Sequence, residues 1–149
     1  MVRSLAMIAA VLAFSTPVNA SSASADTARN RLIMNDFMQL FCKKKVRQAF
    51  EAYVSPDYIQ HNPYIASGRD SAITELESHF AAQPASICEV HHLIVDGEMA
   101  AVHVLDKKTP EDPGIAIIDI FKLRDGKIVE HWDVVQPVPK PVVNPHPMF

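Results

Sequence analysis

The 149-residue sequence predicts an α+β fold in which three N-terminal helices pack on a curved antiparallel sheet. Three observations carry this expectation. Apolar residues in the N-terminal half recur with the 3.6-residue period of helices, and from Ile87 onward runs rich in Ile, Val and Phe alternate with turn residues. Two Asp-Gly pairs, Asp96-Gly97 and Asp125-Gly126, each sit between such runs, where they mark β-hairpins.

Taken in order, residues 1–20 read as an export signal. Arg3 precedes an apolar run from Leu5 to Phe14, and Val18-Asn19-Ala20 offers a small-residue cleavage site before Ser21. The run is shorter than the ~20 residues a membrane-spanning helix needs, so the expected compartment is the periplasm or the extracellular space. Residues 21–136 then form one domain, and 137–149 a Pro-rich tail. The chain carries 14 Lys and Arg against 17 Asp and Glu, a formal net charge of −3, and becomes one unit more negative when Arg3 leaves with the signal. With no basic stripe, nucleic acid is not an expected partner. Cys42 and Cys88 can pair in an exported protein or serve as ordinary core thiols, and the sequence leaves both open.

Ser21 to Ala25 is a small polar lead-in expected to be disordered. From Asp26, Ile33, Met34, Phe37, Met38 and Phe41 trace one face of a first helix, and Lys43-Lys44-Lys45 suits its C-terminal end, where the helix dipole favours cations. Val46, Ala49, Phe50 and Tyr53 mark a shorter second helix, ended by Val54-Ser55-Pro56. A short extended piece, Asp57 to Pro63, leads through Gly68-Arg69-Asp70 into a third helix with Ile73, Leu76 and Phe80 on its buried face. Two hairpins follow: Ile87 to Val95 with Met99 to Asp106, then Ile115 to Leu123 with Lys127 to Gln136. The tail has five prolines from Pro137 onward and is expected to wrap the surface or a partner subunit.

The chemistry centres on Asp119. It stands among Ile117, Ile118, Ile120 and Phe121, where a carboxylate is costly unless it has a use. A three-residue loop at Arg124-Asp125-Gly126 places Asp119 opposite His131, and Ile115, Ile117, Asp119, Phe121, Val129, His131, Asp133 and Val135 then share a face; a two-residue turn places Asp119 opposite Trp132 and sends His131 outward. The residues leave both registers open. His103, in Ala-Ala-Val-His-Val-Leu, has similar apolar flanks and would neighbour Asp119 if the two strands pair. A His beside a partly buried carboxylate is an acid/base pair in which each sets the other's protonation state, or a purely structural pair.

Asp57-Tyr-Ile-Gln-His-Asn-Pro63, Gly68-Arg-Asp70 and the run from Ile117 to Gln136 resemble the SnoaL-like polyketide cyclase branch of the NTF2-like superfamily, in particular its small stand-alone proteins described as predicted aldol-condensation enzymes. The resemblance implies a cone-shaped barrel in which the sheet and helices enclose a pocket, commonly in a homodimer packed sheet to sheet. It places the catalytic acid/base at Asp119 and an assisting His at His103. The sequence is also similar to ketosteroid isomerases, whose base would fall at Asn62, before Pro63; an amide cannot serve, so chemistry of that type is not expected. In these relatives the last strand points inward at His131, Asp133 and Val135, which favours the three-residue loop.

The candidate catalytic residues are therefore Asp119, His103, His131 and His61, and the candidate substrate-binding residues are Tyr58, Asn62, Phe121, Asp133 and Trp132. Tyr58, Gln60 and Asn62 share one side of their segment and His61 the other. Trp132 opposes His131 in parity, so a core or interface role competes with substrate contact. His91-His92 are adjacent in a strand and face opposite ways, a weak metal pair, and no metal-ligand spacing occurs elsewhere, so neither a metal nor a cofactor is expected. The predicted function is cofactor-independent acid/base chemistry, of aldol, cyclase or lyase type, on a small apolar carbonyl compound. The alternative is a non-catalytic binding or dimerisation module of the same fold. The expected partners are a small hydrophobic ligand and a second copy of the chain, without a membrane span.

Overall fold

The computed structural model describes residues 20–149, with side chains from Ser24 onward; the expected export signal falls almost wholly outside them. Helix α1 runs Ala20–Cys42, α2 Val46–Tyr53 and α3 Arg69–Ala82, with strands β1 Val54–Gln60, β2 Ile87–Asp96, β3 Met99–Lys107, β4 Ile115–Arg124 and β5 Lys127–Pro137. No described helix is long and apolar enough to cross a membrane. The first helix begins earlier than Asp26, and the lead-in expected to be disordered is its first turns. Ser21–Ala25 contains only Ser and Ala, with no Gly or Pro to stop it.

The five strands form one open, curved sheet in the order β1-β5-β4-β3-β2. The two hairpins pair antiparallel as expected, but β1 joins the edge of β5 in parallel. Val54-Ser55-Pro56, read as a helix stop, is also the start of this strand. Pro56 is tolerated because an edge strand has one side without a ladder, and the β1–β5 register shifts between Val54 and Ile59.

The register of the second hairpin is neither of the two anticipated. Asp125 and Gly126 have φ of 52° and 76°, the paired left-handed conformations of a tight two-residue turn, and Arg124 faces Lys127. The ladder then shifts between Lys122 and Leu123, leaving Val129 as an extra residue, and Phe121 comes to face His131 while Asp119 faces Asp133. The bulge restores the parity that a two-residue turn alone would have lost. His131 points inward through a different register from the one expected.

The helices cover one face of the sheet. Met34, Phe37, Met38, Val46, Ala49, Phe50, Ala72 and Ile73 pack on Val102, Val104, Phe121, Leu123 and Ile128, and Phe37 contacts the rings of Phe41, Phe50 and Phe121 at 5.5–6.0 Å between centroids. Buried Asn30 and Thr27 of α1 clamp the β2–β3 turn: Asn30 Nδ2 donates to the Gly97 carbonyl at 2.8 Å, and Gly97 N donates to Thr27 Oγ1 at 2.9 Å. Lys44, in the left-handed conformation that ends α1, donates Nζ to the Pro84 carbonyl at 2.6 Å. Cys42 and Cys88 form a disulfide between the end of α1 and β2, which resolves the alternatives the sequence left open.

Candidate active site

Between the helices and the inner face of the sheet lies a cavity of about 710 Å³. Its wall is largely apolar, with Phe37, Phe41, Phe50 and Phe80 from the helices and Ile117 and Phe121 from β4. The polar groups that bond one another come from three neighbouring strands. Side chains at alternate positions of a strand share a face, so β4 contributes Asp119, β5 contributes His131 and Asp133, and β1 with its following loop contributes Tyr58, Gln60 and Asn62. The parallel β1–β5 pairing sets Gln60 beside His131.

These side chains form one network. His131 Nε2 meets Asp119 Oδ1 at 3.0 Å, diagonally across the ladder, and His131 Nδ1 meets Gln60 Oε1 at 2.8 Å. The backbone N–H of Asn62 also donates to Gln60 Oε1, at 3.0 Å, while Gln60 Nε2 donates to Tyr58 Oη at 3.1 Å. The Asn62 side-chain amide donates to Asp133 Oδ2. Proton positions follow. A backbone N–H can only donate, so the Gln60 atom it meets is the carbonyl oxygen, and His131 Nδ1 must carry a proton to bond the same atom. One further proton is then shared between His131 Nε2 and Asp119, as imidazolium with carboxylate or as imidazole with carboxylic acid.

Electrostatics bear on that balance. Burial raises the Asp119 pKa and outweighs the hydrogen bond and charge of His131, which lower it; the Asp133 charge adds to the rise. The Tyr58 phenol is also pushed up, first by burial and then by the Asp119 and Asp133 charges, so it remains a donor. The ligand atoms of Asp119, His131 and Asp133 lie within 4.8 Å of one another, so these are the residues that could share an ion here. Each is instead bonded to a protein partner.

Of the residues singled out in the sequence, the structure brings Asp119, His131, Tyr58, Asn62, Phe121 and Asp133 to the cavity and leaves three outside. His103 does not neighbour Asp119: β3 pairs with β4 so that Val102 faces Asp119 and His103 faces Ile118, which puts the imidazole on the outer face of the sheet. Its pKa is lowered by desolvation and by neighbouring His92 and His91. His61 is exposed, 3.4 Å from Glu130 Oε2, with its ring stacked on Trp132 at 4.6 Å between centroids. Trp132 faces Ile120 and shares this outer side, as its parity indicated. Gln60, absent from the candidate set, is the hub of the network; its shared parity with Tyr58 and Asn62 was the signal that could have found it. Asp106 and His79 also line the cavity. Burial raises the Asp106 pKa, against a lowering by His79.

A model of the SnoaL-like domain matches residues 34–131. No curated protein matches significantly. Among solved structures, a proposed ketosteroid isomerase from Kribbella flavida superposes with a TM-score of 0.65 at 18% identity, covering 80% of this chain and 86% of its own. An NTF2-like protein of unknown function from Mesorhizobium loti gives 0.63 at 18% identity, over 74% and 93%. TsrD from Streptomyces laurentii gives 0.58 at 21% identity, over 74% and 90%. At these identities the likeness is one of fold.

Proposed function

The chain belongs to the SnoaL-like domain family, and from that premise we propose that it is a cofactor-independent enzyme performing acid/base chemistry on a small apolar carbonyl compound. The family points to cyclase- or isomerase-type function in general. The observation that carries the finer reading is the Asp119–His131 pair, at 3.0 Å, on the wall of a cavity that is otherwise mostly apolar. Asp119 takes a proton from the carbon alpha to the carbonyl, and the C–H electron pair moves into the enolate. The same group returns a proton to the product. Tyr58, kept protonated by its burial, donates to the oxygen on which charge develops. Gln60 fixes the His131 ring and its tautomer.

Asp119→Asn tests this directly. Turnover of any accepted carbonyl compound should fall on the order of 100-fold or more, with an unchanged circular dichroism spectrum. Ordinary turnover in the variant would remove Asp119 from the mechanism, and ligand binding without turnover in the parent protein would favour a carrier.

Two further readings belong to this proposal. The N-terminal sequence and the Cys42–Cys88 disulfide support an exported protein. The outer face of the sheet leaves Ile94, Val134, Met99 and Ile118 exposed, at 66%, 66%, 42% and 38%, which supports pairing with a second copy through that face. Sedimentation equilibrium should return a dimer that Val134→Lys dissociates; a monomeric parent chain would end that reading.

A further inference from the structure

The cavity has a second polar end that the proposed chemistry leaves unused. Among the described residues, the carboxylates of Glu75, Asp106, Asp119 and Asp133 line its wall. Three of them have a protein partner: Asp119 meets His131, Asp133 accepts from the Asn62 amide, and Glu75 Oε1 accepts from the Ala66 N–H at 3.3 Å. Asp106 has none. His79 and Lys44 act on it through their charge, but among the described residues no N–H or O–H donates to its carboxylate.

Its place follows from alternation along β3. Val102, Val104 and Asp106 share the inner face, and the neighbours of Asp106 across the ladder, Cys88 on β2 and Ile115 on β4, are apolar and also line the cavity. A carboxylate so placed loses part of its hydration, and here no hydrogen bond offsets that cost. The register sets the two ends apart. Val102 faces Asp119 and Asp106 faces Ile115, so four residues of rise, about 13 Å, separate them along the strands. Val104 and Ile117, which face each other, line the wall between. From the helix layer, His79 lines the cavity together with Leu76, one helical step before it on α3. A ligand that reaches both ends is therefore long, apolar in its middle and polar at each tip.

We propose that Asp106 on β3 and His79 on α3 form a second binding subsite of this cavity, which takes a terminal hydroxyl of the substrate roughly 10 Å or more from the carbonyl held at Asp119 and Tyr58. The hydroxyl donates to the Asp106 carboxylate, and its oxygen accepts from the His79 ring. An ammonium group suits this end less well, because Lys44 already brings a positive charge to Asp106. The Asp119 end is the one proposed to do the chemistry, and the subsite rests on that reading for the orientation of the ligand.

Calorimetric binding of decan-2-one and of its ω-hydroxy derivative to the full chain tests the subsite. A hydroxyl buried in an apolar cavity without a partner costs affinity, so a cavity lacking the subsite prefers the plain ketone. With the subsite, the hydroxy ketone should bind about tenfold more tightly than the ketone, the scale of one hydrogen bond to a charged acceptor. Asp106→Leu, which removes the acceptor, should abolish the preference, and His79→Leu, at an exposed helix position, should reduce it severalfold. Asp119→Asn should leave it in place. Equal affinities in the parent protein would overturn the subsite, as would a preference that either Asp106→Leu or His79→Leu leaves unchanged. A preference lost in Asp119→Asn but kept in Asp106→Leu would seat the hydroxyl at the other end and equally overturn it. If neither compound binds the parent protein, the reading of the cavity as a site for apolar carbonyl compounds falls, and the subsite with it.

Discussion

At Asp119, the burial that raises the carboxyl pKa also ties folding to pH. A carboxyl whose folded pKa lies above its unfolded value holds its proton more tightly in the folded state. Its contribution to stability is therefore fully present below the unfolded value, ordinarily about 4 for aspartate, and is lost as the pH rises through the folded value. Asp119→Asn, which never ionises, should gain stability relative to the parent protein as the pH climbs from about 3 to about 8. Urea unfolding of both proteins across that range measures it, and parallel curves would contradict the raised pKa. A residue whose ionisation costs the fold stability as the pH rises is then the one proposed to do the chemistry, which is the usual trade between stability and activity. Asp119 was legible in the sequence because a lone carboxylate in an Ile-rich strand must lose its hydration on folding, and that cost marks it out. Gln60 was not, because a neutral amide in an extended segment carries no such signal until its neighbours are known.

Among the elements, periodicity and turn residues were enough to find the helices and both hairpins, since apolar spacing and Asp-Gly turns act locally. Register is not local. The Val129 bulge depends on how β5 fits between β4 and β1, and the shift at His91 on how β2 lies on β3; neither involves a Gly or Pro that would mark it. The same limit misplaced His103, for one step along β3 exchanges the cavity face for the outer face. The Cys42–Cys88 disulfide joins two elements 46 residues apart, and the chain-entropy model assigns a loop of that length about 4 kcal/mol. A Cys42→Ser/Cys88→Ser variant should unfold at clearly lower urea concentration than the oxidised protein and match the parent protein in reductant. Equal midpoints for the oxidised protein and the variant would show that packing alone holds α1 to β2.

For the molecule as a whole, the cavity is a product of the layer arrangement: helices fold over one face of an open sheet, and their aromatic side chains line the space between the layers. Composition and element order made that arrangement legible. The parallel seam between β1 and β5 was not, because nothing in either segment names the other as its neighbour. That seam sets the order of assembly. Residues 54–60 cannot pair until 128–131 are in place, so the N-terminal half must wait for nearly the whole chain, and contacts of such sequence separation form slowly. Trp132, the only tryptophan, stacks on His61 at the end of this seam, and its emission can report the docking. In stopped-flow refolding with the disulfide intact, the Trp132 signal should lag behind the far-ultraviolet dichroism that reports the helices, and coincident traces would argue against late docking. Gln60 and Asn62 arrive with β1, so the network that holds His131 is complete only once this last strand is seated.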